Sequence, residues 1–314
     1  MDIHYGFWIL FAFMVGIMLY IDLYITDHQE GEKSFKSSVI WSIIWICVAL
    51  AFNASLYFFY DNGHEKAMEF LAGYLIEKSL SVDNLFVFIM IFHALNIKSA
   101  NQPHILKWGI LSAIVFRIFF IMAGVGLLNY FHATIYLFGA ILLWASFKMI
   151  RDAVSKEEEE IDIAENRLVK FINRHFRVLT DYNGKRFFTR ADGKLALTPL
   201  FIALLMIETA DIVFAVDSIP AVLAITHDPF IVITSNIMAI LGLRALYFVL
   251  AGMLNLFRYL KHGVALILLF VAVKMLISEI YKIPVAVSLI VIFSLLFLSV
   301  VLSLIFMKKD EVIK

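Results

Sequence analysis

Cysteine occurs once in the 314 residues, so no disulfide can close within the chain. Cys47 lies in an apolar run, where it is expected to act as a small buried hydrophobe. Charged residues make up only 17%, and their formal sum is +0, so overall charge gives no pointer to an acidic partner. No nucleic-acid partner is expected. No basic segment precedes the first apolar run, which continues past signal length to Asp22, so no cleavable leader is expected. G-x-S-x-G, P-loop and H-E-x-x-H patterns are missing, and nothing resembles a cofactor box. Neither catalysis nor a tightly bound cofactor is expected. Intramembrane aspartyl proteolysis needs only two acids at one site, so chemistry alone leaves it open.

What is present is apolar. The chain is 62% hydrophobic, contains 30 phenylalanines and has a mean hydropathy of +0.89. A soluble domain of this length could not cover so much apolar surface, so an all-α polytopic membrane protein in a lipid bilayer is expected. Runs long enough to cross a bilayer fall at 6–26, 37–60, 67–95, 105–128, 133–150, 198–225, 230–257, 263–281 and 284–307, predicting nine helices. Alternate connections and the tail hold 19 basic residues, whereas the opposite side has only Lys66 and Lys282. The positive-inside rule then places the N-terminus outside and the C-terminus in the cytoplasm. Trp8, Trp41, Tyr60 and Trp108, near helix ends, are expected as interfacial anchors.

The segment 151–197 is the one large connection. It opens with KEEEEIDIAENR, expected as a solvated helix, and continues as FRVLTDYNGKRFFTRADGK, whose N-G step reads as a hairpin turn. This is a small cytoplasmic insert.

An internal repeat divides the rest. EKSLSVDN (77–84) and DIVFAVDS (211–218) both place an acid six residues before a V-D-polar triplet. ILLWASFKM (141–149) aligns with ILLFVAVKM (267–275), and RIFFIMAG from Arg117 resembles RALYFVLAG from Arg244. Helices three to five thus correspond to helices six to eight. Three is odd, so the second unit enters from the opposite side: an inverted repeat, as in many secondary transporters. The expected organisation is 1–66, two leading helices; 67–150, the first repeat; 151–197, the insert; 198–281, the second repeat; and 282–314, a last helix and tail.

Asp22, Glu77, Asp83, Glu208, Asp211 and Asp217 fall within the spans, as do Lys78, Arg117, Lys148, Arg244 and Lys274. Ionisable groups at such depth cost several kcal/mol, roughly 2.5–3.5 on insertion scales, and mark pathways or pair with one another. Six acids against five bases leave room for a cation. Steps of seven residues place Glu77 with Asn84, and Asp211 with Ser218, on shared helix faces, while Glu77 and Asp83 diverge. Pro220 could break helix six, and a bend in helix three would let both of its acids converge; the residues leave intact and broken helices equally open. All these donors are oxygens, which suit Mn2+, Ca2+ or Mg2+.

IEKSLSVDNLFVF (76–88), TPLFIALLMIETADIVFAVDSIPAVLAIT (198–226) and FIVITSNIMAILGLRALYF (230–248) resemble the TerC family of integral membrane proteins, including its Alx-type members. The resemblance extends over essentially the whole chain. It implies a multi-spanning protein of the bacterial inner membrane, related to small cation exporters, with Mn2+ export expected and Ca2+ the other candidate cargo. It carries the acidic signature onto Glu77, Asp83, Asn84, Glu208, Asp211, Asp217 and Ser218 as metal-binding residues. Protons are a candidate counter-ion. The rival reading is a non-transporting module that assists membrane-protein insertion or answers metal or tellurite stress.

Overall fold

The computed structural model describes residues 3–25, 32–130, 134–154, 178–179, 184–191, 194–251, 260–277, 280–281 and 283–305. The charged run at 156–167 and the tail after 305 lie outside the described residues, as do the side chains of Asp83 and Asp217.

Ten α-helices account for most of the described residues: α1 (Ile3–Tyr20), α2 (Glu32–Phe59), α3 (Gly63–Ala94), α4 (Gln102–Tyr130), α5 (Thr134–Val154), α6 (Pro199–Leu223), α7 (Pro229–Ile240), α8 (Leu243–Ala251), α9 (Leu260–Leu276) and α10 (Val285–Ile305). A π-helical turn, Ile21–Ile25, continues α1 and contains Asp22. Among the described residues, five helices are long and apolar enough to cross a membrane (α1, α2, α4, α6 and α10), or six if the bent pair α7–α8 is one span, against the nine expected. Together they make a multi-pass, all-α membrane protein. The long α3, with its run of charged residues, does not meet that criterion.

Local sequence sets several boundaries. Thr198 and Asp228 each precede a proline at the first helical position, where a missing N–H costs nothing. The Asp228 carboxylate also caps α7, accepting from the Phe230 amide at 3.0 Å. Both α3 and α6 run unbroken; Pro220 lies inside α6, near its end. The break comes instead between α7 and α8, which bend by 41°. Gly242 there has φ +82°, and the Trp45 side chain covers the space a Cβ would need, so this position requires glycine twice over.

The insert contributes a two-stranded antiparallel hairpin, β1 (Phe188–Ala191) and β2 (Lys194–Leu197), with Ala191 opposite Lys194. Its strands are separated by the D-G step at 192–193, not by the N-G step at 183–184. The Thr198 hydroxyl donates to the carbonyls of Arg186 and Phe187, both at 3.0 Å, and so ties the hairpin to the start of α6.

The packing is reciprocal. Helix α3 lies against α6 and α7, α4 lies against the same two, and α5 pairs with α9. Helices α2 and α10 flank α3, and α2 also meets α8. Phe230 is the hub of an aromatic cluster. Tyr60 stacks on it at 5.5 Å, and Trp8 meets it edge-on at 4.8 Å. Tyr60 is therefore buried, contrary to its expected role as a surface anchor, because its ring has an aromatic partner to cover it. Cys47 is also displaced from expectation: it faces outward from α2, where lipid supplies the apolar surroundings that a buried site would.

Candidate functional site

Four helices bring polar groups to one point in the interior. Arg117 of α4 is wholly buried, as are Glu77 of α3 and Asn236 of α7. One guanidinium nitrogen, Nη1, donates to Glu77 Oε1, to Ser218 Oγ at 3.2 Å and to Asn236 Oδ1 at 3.2 Å. The other, Nη2, donates to Asp211 Oδ1 at 3.2 Å. Asn236 closes the ring by donating its amide to Glu77 Oε2 at 2.9 Å. A guanidinium suits this role because its planar fork can hold two carboxylates at once and keeps its charge when dry.

The seven-residue step on α6 explains why Asp211 and Ser218 meet the same arginine: they share a face two turns apart. One turn before Asp211, Glu208 accepts from Ser112 of α4. Ser112 and Arg117 of α4 thus form two rungs against Glu208 and Asp211 of α6. Each rung leaves one carboxylate oxygen over. Among the described residues, Glu208 Oε2 and Asp211 Oδ2 are buried without a hydrogen-bond partner. Glu77 and Asp211 share the one guanidinium, and Glu208, one turn from Asp211, is bonded only to the Ser112 hydroxyl. An unpartnered carboxylate oxygen in a water-poor interior is costly, so this arrangement favours a further positive charge.

The other bases go elsewhere. Lys78 follows Glu77 in sequence but, about 100° round the helix, donates to the carbonyl of Ala239 in the last turn of α7 at 3.1 Å. Arg244, at the start of α8, lies 3.8 Å from Asp22 of the π-helical turn. Lys148 is exposed and sits 5.8 Å over the ring of Trp144. Lys274 is buried on α9 near Glu69 of α3, close enough to interact electrostatically. Asn84 is buried on α3 but takes no part in the hydrogen bonds around Arg117. The backbones of Asp83 and Asp217 lie within α3 and α6; their side chains are outside the described residues. Within the described residues no three His, Cys, Asp or Glu side chains already form a metal-holding group.

Three residues of these networks escaped the sequence reading. Asn236 sits in the polar T-S-N triplet of an otherwise apolar helix, and such polar runs in membranes usually bond across helices. Ser112 is a lone serine in an apolar span and gives almost no signal. Glu69 falls within the third apolar run and belongs with the intramembrane acids.

The chain has relatives among integral membrane proteins. The model of the integral membrane protein TerC family matches residues 62–311. Alx of Salmonella typhi, a proposed membrane-bound redox modulator, is 44% identical over 300 residues, covering 93% of this chain and 92% of that protein. The uncharacterized membrane protein STKORF319 of Myxococcus xanthus is also 44% identical, over 96% of this chain and 92% of its own length. A membrane protein of Rickettsia felis is 39% identical over 95% and 97%. No solved structure matches the chain.

Proposed function

The chain belongs to the TerC family of integral membrane proteins, and from that membership we propose that it exports a divalent cation, with Mn2+ as the expected cargo, across the bacterial inner membrane. The observation that carries this reading is the pair of free carboxylate oxygens, Glu208 Oε2 and Asp211 Oδ2, beside a buried cluster already short of positive charge. Hard oxygen donors from Glu77, Glu208, Asp211 and Ser218 match the chemistry of Mn2+ better than that of a soft metal. Asp83 and Asp217, in the same two helices, would add to the acid count.

In this reading Arg117 is a tethered cation. It neutralises Glu77 and Asp211 when no metal is bound, and a divalent ion must compete with it or sit beside it. Release of the metal is then favoured by return of the guanidinium, by protonation of a carboxylate, or by both. The reciprocal packing of α3–α5 against α6–α9 is what two inverted repeats would produce, and supports alternating exposure by rocking one unit against the other. Orientation follows the basic connections, with the N-terminus outside.

An enclosed cluster favours transport over the insertion-assisting module, which would need a polar groove open to its client. The redox role attached to the Alx relatives is compatible. One cysteine cannot cycle through an internal disulfide, whereas control of Mn2+, itself redox-active, would act on redox balance indirectly. Mn2+ accumulation in inside-out vesicles tests the proposal. The wild-type protein should load them, and Glu208→Gln, Asp211→Asn, Asp83→Asn and Asp217→Asn should load them poorly at equal protein levels. Equal accumulation in vesicles lacking the protein would end the transport reading, and indifference to an imposed pH gradient would remove the proton step.

A further inference from the structure

A second polar layer lies beyond the Arg117 cluster, built by the same three elements at the same spacing. Glu69 precedes Glu77 by eight residues on α3, Thr226 follows Ser218 by eight after α6, and Asp228 precedes Asn236 by eight before α7. Eight residues of helix advance about 12 Å. At that level Glu69 Oε2 accepts from the Thr226 hydroxyl at 2.6 Å and from Lys66 Nζ at 2.9 Å. Lys66 also lies 3.4 Å from Asp228, and Lys274 of α9 is buried near enough to Glu69 to interact electrostatically. Two acids and two bases balance here, unlike the cluster below, so this layer does not call for an added cation.

Between the layers the three elements are in direct contact. A Cβ on Gly73 of α3 would lie 2.9 Å from Ser235 Oγ of α7 and 3.2 Å from Val222 Cγ1 of α6. Val222 and Ser235 are wholly buried. Val222 is four residues past Ser218 and four before Thr226, midway between the layers.

We propose that these two features form a gate: a dry seal at Gly73, Val222 and Ser235, latched by Lys66, Glu69, Thr226 and Asp228, which closes the central cluster from the membrane face at which α3 begins. The latch joins the first turns of α3 to the α6–α7 connection, so the two repeats cannot separate at this face while it holds. Glu69 is its centre, since it accepts from both Lys66 and the Thr226 hydroxyl, while Lys66 also reaches Asp228. The purpose of the gate rests on the transport reading, but closure is tested without it.

The test uses the full chain with Cys47→Ser and Val222→Cys, in right-side-out membrane vesicles, and a membrane-impermeant maleimide. With the latch intact the introduced thiol should be protected. Adding Glu69→Gln should raise its labelling about tenfold or more, the scale expected when a charge-assisted hydrogen bond is removed from a two-state equilibrium. Glu69→Asp should stay protected. If Glu69→Gln does not accumulate, Thr226→Val makes the same test by removing only the hydroxyl donor. Free labelling with the latch intact, or unchanged protection without it, overturns the gate. A protein that shows the expected labelling but moves no Mn2+ keeps the gate and loses the transport reading. One that moves Mn2+ while the thiol is always open does the reverse.

Discussion

Replacing Arg117 with methionine keeps most of the side-chain volume and removes the charge that Glu77 and Asp211 share. Both carboxylates then face a buried site with no guanidinium, and Glu77 retains only the Asn236 amide. Breaking a buried ion pair by deleting one partner costs about 3–5 kcal/mol. A cation that enters in place of the guanidinium restores stability by mass action, about 4 kcal/mol at a thousandfold excess over its dissociation constant. Loss and recovery are therefore of the same size. Purified protein in detergent should show this by thermal unfolding. In chelator the Arg117→Met variant should melt well below wild type. In saturating Mn2+ it should recover most of the difference. The wild type should respond less, because its own arginine competes. A variant that melts with the wild type in chelator, or one that stays low in Mn2+, would refute the idea that Arg117 occupies the place of a cation.

Asn236→Leu removes the amide from Glu77 Oε2 and an acceptor from Arg117, so Mn2+ affinity measured by titration calorimetry should fall about 10- to 100-fold, the usual effect of losing a group that orients a ligand; an unchanged affinity would leave Asn236 a packing residue. Gly242→Ala places a side chain at φ +82° and against Trp45, and should cost about 1–3 kcal/mol, read as a lower yield of soluble protein after a heat step. Adding Trp45→Ala should relieve only the contact and leave the backbone strain, so complete recovery would show that the bend does not need glycine.

Much of the candidate site was legible in advance because its signals are local. A carboxylate in an apolar run is conspicuous, and the seven-residue step that puts Asp211 and Ser218 on one face is a property of any α-helix. The same logic did not reach Glu69, whose position inside the third apolar run only becomes informative beside Thr226 and Lys66. Nor did it locate the bend. Pro220 is the candidate breaker, yet α6 runs through it to Leu223, and the break falls at Gly242, where a positive φ and the Trp45 side chain each call for glycine.

Sequence alone settled that this chain lives in a membrane as a bundle of helices, since composition and run length answer directly to the cost of exposing apolar surface to water and backbone amides to lipid. It also marked most of the residues that carry charge into that bundle. Which base meets which acid was decided only by the tertiary structure. Arg117 reaches across 40 residues to Glu77, 94 to Asp211 and 119 to Asn236, while Lys148, equally available by composition, turns outward over Trp144. Helical periodicity specifies a face, but the neighbour of that face is set by how whole helices pack.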